Sequence, residues 1–334
     1  MPLNLLFIDV DCPRPLDGSS LDREPLGGTE STLFRIAEGL SGTGRYRVAI
    51  AQHNREETLE MNGVGYVPFR VGEPSVPDPD VIVVLRSFKT LNGLRKIFPG
   101  SRMFLWMHCF PGSRWKKAGP MLERCATTAI CVSDFLRERM RDVLGEKLPM
   151  VTIYNPVVVR AEAAETDVDK LVFFSSPHKG LEEVLRRFSE IRSEFPAMRL
   201  YLGDPGYWGG PVPDDVPGVV RLGHLPPKEI HAEVSTALCV FYPQRNFEET
   251  FGLVFAEANA LGVPVLAHGI GAAVEVLEKG GQGQVVNCTP RNVLETIRLW
   301  RAGGRPVVRE APEFSIARVL AEWEELFKTN KTGV

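Results

Sequence analysis

Short apolar runs alternate with amphipathic stretches along nearly the whole sequence, and this alternation constrains the fold more than any other feature. In the first half, strand-like runs lie at residues 3–10, 47–52, 64–69, 81–85, 102–108, 128–132 and 150–154. In the second half they lie at residues 170–174, 199–203, 219–223, 237–242, 263–267 and 284–287. Helical patterns separate them, one of which, residues 133–144, has Ser133 as its predicted N-cap. The sequence therefore predicts a parallel α/β architecture.

A polar, acidic stretch at residues 160–167 interrupts this alternation and indicates a linker between domains. A chain of 334 residues is long enough for two domains that each bury a core. We predict one doubly wound domain over residues 1–158 and a second over 159–312. A helix within 313–334 is expected to pack back toward the first. Such sheets bind ligands at the carboxyl ends of their strands, here expected to face a common cleft.

Composition excludes several classes of protein. Hydrophobic residues make up 44% of the chain and charged residues 24%, as in a soluble globular protein. The formal net charge of −3 argues against a general nucleic-acid binder. The sequence begins with a strand pattern rather than a signal peptide, and its six cysteines have no zinc-ligand spacing. We therefore expect reduced, partly buried thiols in a cytoplasmic protein.

The segment 245–267 combines acidic residues with a helix start and is the most informative part of the sequence. Glu249 lies in a loop after a predicted strand, and the next helix is predicted to begin near Gly252 and to include Glu257. Backbone N–H groups at a helix start can bind phosphate or hydroxyl oxygens. Carboxylates in a cleft suit hydrogen bonding to the vicinal hydroxyls of a sugar or a ribose. Alone, a glutamate before a helix is more simply explained by stabilisation of the helix dipole.

The spacing Glu249-x7-Glu257, followed by Ala-x-Ala-x-Gly-x-Pro-Val at 258–265, resembles the E-x7-E motif of retaining glycosyltransferase family 4. Members of that family have the GT-B fold, in which two Rossmann-like doubly wound domains face each other across a cleft. The resemblance implies an acceptor-side N-terminal domain and a C-terminal domain that binds a nucleotide sugar. It further implies that Glu249 lies beside the donor sugar hydroxyls and that Glu257 holds the ribose hydroxyls.

The rest of this segment follows the family pattern with two departures. By resemblance, Thr250, Phe251 and Gly252 contribute to donor binding, and the turn at 269–272 with Glu275 is the stretch that follows in the family. Thr250 and Ala272 stand where the family often has glycine.

A second group of candidate donor-binding residues, Ser175, Ser176 and Lys179, follows the first predicted strand of the second domain. Lys179 next to a helix start can neutralise a diphosphate. This position resembles the Arg-x4-Lys-Gly diphosphate clamp of the family, but Phe174 replaces the arginine. Ser175, Ser176, His178 and Arg245 are the alternatives that could supply the missing contact, and weaker donor binding is another.

Two candidate elements lie in the first half of the chain. Gly27-Gly28 precedes the first long helix, where glycine permits close approach of a ligand. In the family, a loop at this location closes over the donor diphosphate and sugar. His108 ends a predicted strand; a histidine there is often structural, yet the family commonly has one near the donor sugar.

A run of cations without carboxylates is independent of the resemblance. Residues 81–122 contain no Asp or Glu, and eight residues are basic: Arg86, Lys89, Arg95, Lys96, Arg102, Arg114, Lys116 and Lys117. The segment 86–117 could contact an anionic membrane surface at the inner face of the membrane, bind a phosphate-bearing acceptor, or be an ordinary solvated face.

The resemblance implies a retaining transfer of sugar from a nucleoside-diphosphate sugar to a hydroxyl of a glycan, lipid-linked or small-molecule acceptor, in polysaccharide, glycolipid or glycoconjugate synthesis. Glu249, Lys179 and His108 are the predicted catalytic residues. The Asp-x-Asp pattern at 9–11 belongs to the first predicted strand and is not a convincing metal motif, so no metal or other cofactor is expected. The alternatives are a nucleotide-sugar epimerase of the same fold and a non-catalytic sugar-binding subunit.

Overall fold

The computed structural model describes residues 1–70, 72–73, 76–162, 164–204 and 216–329. Contacts between Cα atoms divide the chain into two compact units. The first unit contains Met1–Ser20, Thr29–Pro156 and the C-terminal segment from Ile316. The second contains Leu21–Gly28 and Val157–Ser315.

The first unit is built on an eight-stranded sheet in the order β3-β4-β2-β1-β5-β6-β7-β8. The strands are β1 Leu3–Asp9, β2 Tyr46–Gln52, β3 Leu59–Met61, β4 Val64–Pro68, β5 Val81–Leu85, β6 Arg102–Met107, β7 Thr127–Cys131 and β8 Met150–Thr152. All neighbours pair in parallel except β3 and β4. Every residue of β5 is buried, as expected of a parallel strand that is covered on both faces. The chain runs outward from β1 on one side and from β5 on the other, so the order reverses between these two strands.

The second unit has a five-stranded parallel sheet in the order β11-β10-β9-β12-β13. Its strands are β9 Asp167–Phe173, β10 Arg199–Gly203, β11 Val219–Gly223, β12 Ala237–Tyr242 and β13 Val265–Ala267. Strands β9 and β12 are distant in sequence but adjacent in the sheet. The loops that follow them therefore leave the same edge side by side.

Helices connect the strands of both units. In chain order they are α1 Ser20–Arg23, α2 Gly28–Gly42, α3 Leu91–Ile97, α4 Gly119–Arg124, α5 Asp134–Leu144, α6 Leu181–Glu194, α7 Pro227–Ser235, α8 Leu253–Ala260, α9 Ala273–Gly280, α10 Pro290–Leu299 and α11 Ile316–Thr329. Ser133 is the N-cap of α5, as predicted, because its Oγ accepts a hydrogen bond of 3.0 Å from the Leu136 N–H. Among the residues that the structure describes, no helix combines the length and apolar character needed to cross a bilayer.

Helix α11 contributes aromatic side chains to the core of the first unit. The Trp323 ring lies 6.0 Å from that of Phe7, 4.7 Å from that of Trp106 and 5.6 Å from that of Phe327. Trp323 is completely buried, so this C-terminal helix packs as an integral part of a core whose strands come from the first half of the chain.

One predicted strand is wrong. Residues 284–287 form only a single bridge, between Val285 and Ala267. The Gln284 side chain explains why, since its Oε1 accepts from the Val265 N–H at 2.8 Å while its Nε2 donates to the carbonyls of Leu277 and Gly281 at 3.0 and 2.8 Å. A side-chain amide thus replaces part of the backbone ladder at the edge of β13 and also satisfies the C-terminus of α9.

Candidate functional site

Two adjacent strands of the second unit end in loops that touch. After β9, the chain forms a short 3-10 turn, Pro177–Lys179, and Gly180 then adopts a left-handed conformation with φ +95°. A Cβ atom at Gly180 would lie 2.5 Å from the Cβ of Gln244, which follows β12. Glycine therefore allows both the turn and the close approach of the two loops.

This approach brings together two residues predicted from separate motifs, Lys179 and Glu249. Lys179 Nζ donates to both carboxylate oxygens of Glu249, at 2.9 Å to Oε1 and 3.0 Å to Oε2. Tyr242, the last residue of β12, donates its hydroxyl proton to Glu249 Oε1 at 2.8 Å. The Glu249 side chain is 8% exposed and that of Lys179 is 20% exposed, so the pair is largely shielded from water. A charge-assisted bond in such surroundings is shorter and stronger than a neutral one.

The hydrogen bonds leave Glu249 a defined remaining capacity. A carboxylate offers about four lone-pair positions. Within the described ranges, Oε1 accepts from Lys179 and Tyr242, and Oε2 accepts from Lys179. One acceptor position on Oε2 remains for a ligand hydroxyl.

The turn after β13 supports the Glu249 backbone. Ala272 N–H donates to the Glu249 carbonyl at 2.9 Å. Gly271 has φ +61°, and a Cβ there would lie 2.7 Å from the Glu249 nitrogen. The structure thus gives the turn at 269–272 a physical role, since it holds the acid loop from behind and leaves no room for a side chain at Gly271.

The remaining predicted residues of this loop divide into packing and surface positions. Gly252 has φ +89° and caps the start of α8, with the Phe255 ring where its Cβ would be. Phe251 is 1% exposed and its ring packs edge-on against Phe314 at 5.1 Å, so its side chain belongs to the core. Thr250 is half-buried, and Glu257 is the half-buried fifth residue of α8.

The predicted glycine loop lies beside the start of α8. A Cβ at Gly28 would lie 2.9 Å from Leu253 Cδ1, so Gly28 touches the first residue of that helix, while Gly27 is half-buried next to it. The glycine loop and the acid loop, more than 200 residues apart in sequence, are therefore neighbours.

The loop after β9 lacks the arginine of the family clamp. Phe174, in its place, is 9% exposed and packs near Gly203 at the end of β10. Ser175 and Ser176 are buried, and Ser176 Oγ lies 2.8 Å from His178 Nδ1. His178 is exposed and Arg245, after β12, is exposed as well.

In the first unit, His108 directly follows β6, next to a buried charged cluster. Its ring centroid lies 4.5 Å from that of Trp106. Burial and the nearby Arg86 guanidinium lower the pKa of His108 well below its usual value, so the imidazole is neutral at pH 7. Asp9 is fully buried and binds Arg86 at 2.6 Å, while Glu30 binds the same guanidinium at 3.1 Å.

Sequence reasoning missed Tyr242 and Gln244. Gln244 is 2% exposed, and its Oε1 accepts from the N–H groups of Asn246 and Phe247 at 2.9 and 2.8 Å, which fixes the course of the loop toward Glu249. A polar pair at the end of an otherwise apolar strand, Tyr242-Pro243-Gln244, was the signal that could have found them.

Comparison with known proteins bears on this arrangement at the levels of fold and family. Solved structures are similar over nearly the whole chain. One of them is sucrose-phosphate synthase from Thermosynechococcus elongatus, which aligns at 14% identity with a TM-score of 0.73, over 98% of both chains. Anabaena HepE in complex with UDP and glucose aligns at 15% identity with a TM-score of 0.67, over 98% of this chain and 100% of that one. AviGT4, a glycosyltransferase involved in avilamycin A biosynthesis, aligns at 18% identity with a TM-score of 0.63, over 98% of this chain and 97% of that one.

The fold class is therefore GT-B, with two Rossmann-like units. Residues 217–303 match the model of the family described as glycosyl transferases group 1, which confirms the resemblance of this segment to a glycosyltransferase. No curated protein sequence matches the chain. The matched segment includes Glu249 and Glu257 and begins after Lys179.

Proposed function

We propose that the protein is a retaining glycosyltransferase that moves a sugar from a nucleoside-diphosphate sugar to an acceptor hydroxyl. The observation that carries the proposal is the Lys179–Glu249–Tyr242 cluster where β9 and β12 end, with its acid inside the matched family segment. A similar structure, Anabaena HepE, is a complex with UDP and glucose, and this supports a nucleotide-sugar donor.

Each residue of the cluster has a proposed task. Lys179 is the cation that stabilises the charge developing on the leaving diphosphate, and Glu249 holds its ammonium group in place until a donor arrives. The free position on Glu249 Oε2 accepts a hydroxyl of the donor sugar. Glu257 binds the ribose, and the Gly27-Gly28 loop lies against the diphosphate. His108, neutral because of its lowered pKa, is a further hydrogen-bonding group that the family resemblance assigns to the donor sugar.

We further propose that transfer needs no metal ion, since Lys179 and backbone N–H groups at helix starts supply positive charge to the diphosphate. The free state of all six cysteines supports a reducing, cytoplasmic location. A glycan or glycoconjugate is the proposed acceptor class.

The direct test begins with donor binding. The thermal midpoint of the purified protein is measured with UDP, GDP, ADP and dTDP, because a ligand that binds only the folded state raises it. The corresponding nucleotide sugars are then incubated with candidate acceptors, with and without EDTA, and NMR identifies the anomer formed. Nucleoside diphosphate released only with acceptor, and product of retained configuration in EDTA, are the expected results. Isomerised nucleotide sugar without acceptor would instead identify an epimerase.

Matched variants connect the activity to the cluster. Lys179→Ala and Glu249→Gln are expected to lower kcat by about a hundredfold or more, the range seen when a charge-stabilising donor is removed. Lys228→Ala and Glu229→Gln change exposed residues of the same unit and should retain full activity. Unchanged activity in both cluster variants would exclude this site as the catalytic one.

A further inference from the structure

A second polar site lies in the first unit, at the point where the strand order reverses. A pocket of about 410 Å³ is formed by loops that follow β1, β5 and β6. Asp11 comes from the first loop, Arg86, Phe88 and Lys89 from the second, and Arg114 and Trp115 from the third. In open α/β sheets, the carboxyl ends of strands at such a reversal are where ligands bind.

Arg86 is fixed at the base of this pocket. Its guanidinium is held by Asp9 at 2.6 Å and by Glu30 at 3.1 Å. Its backbone adopts φ +59°, an unfavourable left-handed conformation for a residue with a side chain. Burial lowers the pKa of Arg86, but Asp9 and Glu30 outweigh this effect and raise it, so the group stays charged. Strain that the surroundings maintain in this way is typical of binding sites.

The other cations of the segment differ in what they contact. Arg95 donates to the carbonyls of Cys125 and Ser101, and Arg102 donates to that of Phe327, so both are used in folding. Lys89 and Arg114 are exposed at the pocket, and neither has a carboxylate within ion-pair distance in the described part of the chain. The two buried carboxylates, Asp9 and Glu30, exceed the single positive charge of Arg86, so Arg86 has none left for a ligand. Lys89 and Arg114 therefore have charge available for an anionic ligand.

The same pocket also has groups suited to a sugar. The rings of Phe88 and Trp115 pack edge-to-face at 4.6 Å, and Trp115 forms part of the wall. The Asp11 carboxylate is exposed and can accept hydrogen bonds from hydroxyls. An inorganic anion alone would gain nothing from Asp11. A hydroxylated molecule with one anionic group matches both the cations and the hydrogen-bond acceptor of the pocket.

We propose that this pocket binds the acceptor and that the acceptor is a hydroxyl-rich molecule carrying a phosphate group. Lys89 and Arg114 contact the phosphate, and the Asp11 carboxylate accepts a hydrogen bond from a hydroxyl. The aromatic side chains Phe88 and Trp115 pack against the apolar face of the acceptor's sugar ring. This assignment of the acceptor class rests on the transferase function proposed above.

Binding to the full-length protein tests the assignment. Glucose 6-phosphate, glucose 1-phosphate and glycerol 3-phosphate are titrated by calorimetry, with glucose and glycerol as uncharged counterparts. We expect at least one phosphate ester to bind at least tenfold more tightly than its counterpart. The double variant Lys89→Ala/Arg114→Ala should weaken that binding about tenfold or more, since bonds to charged groups have this magnitude. The control Lys116→Ala/Lys117→Ala removes equal charge from the same segment outside the pocket lining and should bind as the wild type.

Three results separate the possible failures. Equal affinity for esters and uncharged counterparts, or equal weakening in both double variants, would overturn the pocket assignment. The protein could instead sediment with vesicles containing phosphatidylserine and bind no phosphate ester. If both double variants lost this sedimentation, the basic segment would bind a membrane surface and not a phosphate-bearing acceptor. Nucleoside-diphosphate binding should be unchanged in Lys89→Ala/Arg114→Ala. If no nucleotide binds while the phosphate ester does, the proposed transferase function fails and the phosphate pocket remains.

Discussion

At the scale of single residues, the candidate donor site depends on one carboxylate that accepts three hydrogen bonds from two donor groups. Glu249 is close to saturated by Lys179 and Tyr242, so most of its hydrogen-bonding capacity orients other groups. A substitution at Tyr242 can distinguish the orienting role of the hydrogen bonds from the role of charge, because the Tyr242 hydroxyl can be removed while the Lys179–Glu249 ion pair stays.

We expect Tyr242→Phe to lower kcat/KM for the donor about tenfold, with Lys179 still paired. Removal of one hydrogen bond to a charged group has this magnitude. Tyr201→Phe, a half-buried tyrosine on β10 of the same unit, is the matched control. Initial rates over a range of donor concentrations measure the effect, and equal values for both variants would contradict the orienting role of the hydroxyl.

His108 gives the first unit a specific pH dependence. Its pKa is lowered in the folded protein, so the unfolded chain binds more protons below about pH 6.5. The contribution of His108 to stability is complete above that pH and is lost as the pH falls toward the lowered pKa, at no more than about 1.4 kcal/mol per pH unit.

His108→Gln should therefore flatten the loss of stability between pH 7 and pH 5. Urea unfolding at these two pH values gives the free energies, and His53→Gln, an exposed histidine of the same unit, should keep the wild-type dependence. An identical pH dependence in all three proteins would mean that folding does not lower the pKa of His108.

At the scale of elements, apolar alternation predicted every strand of both sheets except the short antiparallel strand β3, Leu59–Met61. Strands such as β5 and β12 are completely buried, and continuous apolar runs are what parallel sheets require. The acid loop was predictable as well, because its motif is local in sequence. The contacts of Glu249 with Lys179 and Tyr242 were not, since they depend on β9 and β12 being neighbours, which no local pattern contains. The strand predicted at 284–287 failed because an apolar run cannot reveal that a buried glutamine side chain takes over the pairing.

This glutamine gives an element-scale prediction. Gln284→Ala removes the side-chain partner of the Val265 N–H and of the Gly281 carbonyl, and it removes one of the two donors to the Leu277 carbonyl, which keeps the Gly281 N–H. The free energy of unfolding should fall by about 3 kcal/mol or more. Gln282→Ala, at an exposed position two residues earlier, should change it by less than about 0.5 kcal/mol. Urea denaturation of both variants measures the difference, and a Gln284→Ala protein as stable as the control would contradict this role.

At the scale of the whole molecule, the first unit is assembled from both ends of the chain. Trp323 of α11 fills the space between Phe7 and Trp106. Trp323→Ala should therefore lower the free energy of unfolding by about 3–5 kcal/mol, the usual cost of truncating a buried aromatic ring.

The loss should appear in the first unit, so that the near-ultraviolet signal of Trp106 disappears at lower urea concentration. Val307→Ala, at a position 94% exposed, is the control and should leave the midpoint unchanged. A small loss for Trp323→Ala would indicate that α11 is not needed for that core.

The position of α11 also has a consequence for biosynthesis. A ribosome releases the strands of the first unit early, but their aromatic core lacks Trp323 and Phe327 until the segment from Ile316 has left the exit tunnel. The second unit, Val157–Ser315 together with Leu21–Gly28, has all its strands translated before then. The part of the chain that is made first is therefore completed last, and during translation its exposed apolar sheet is the surface that chaperones would have to protect.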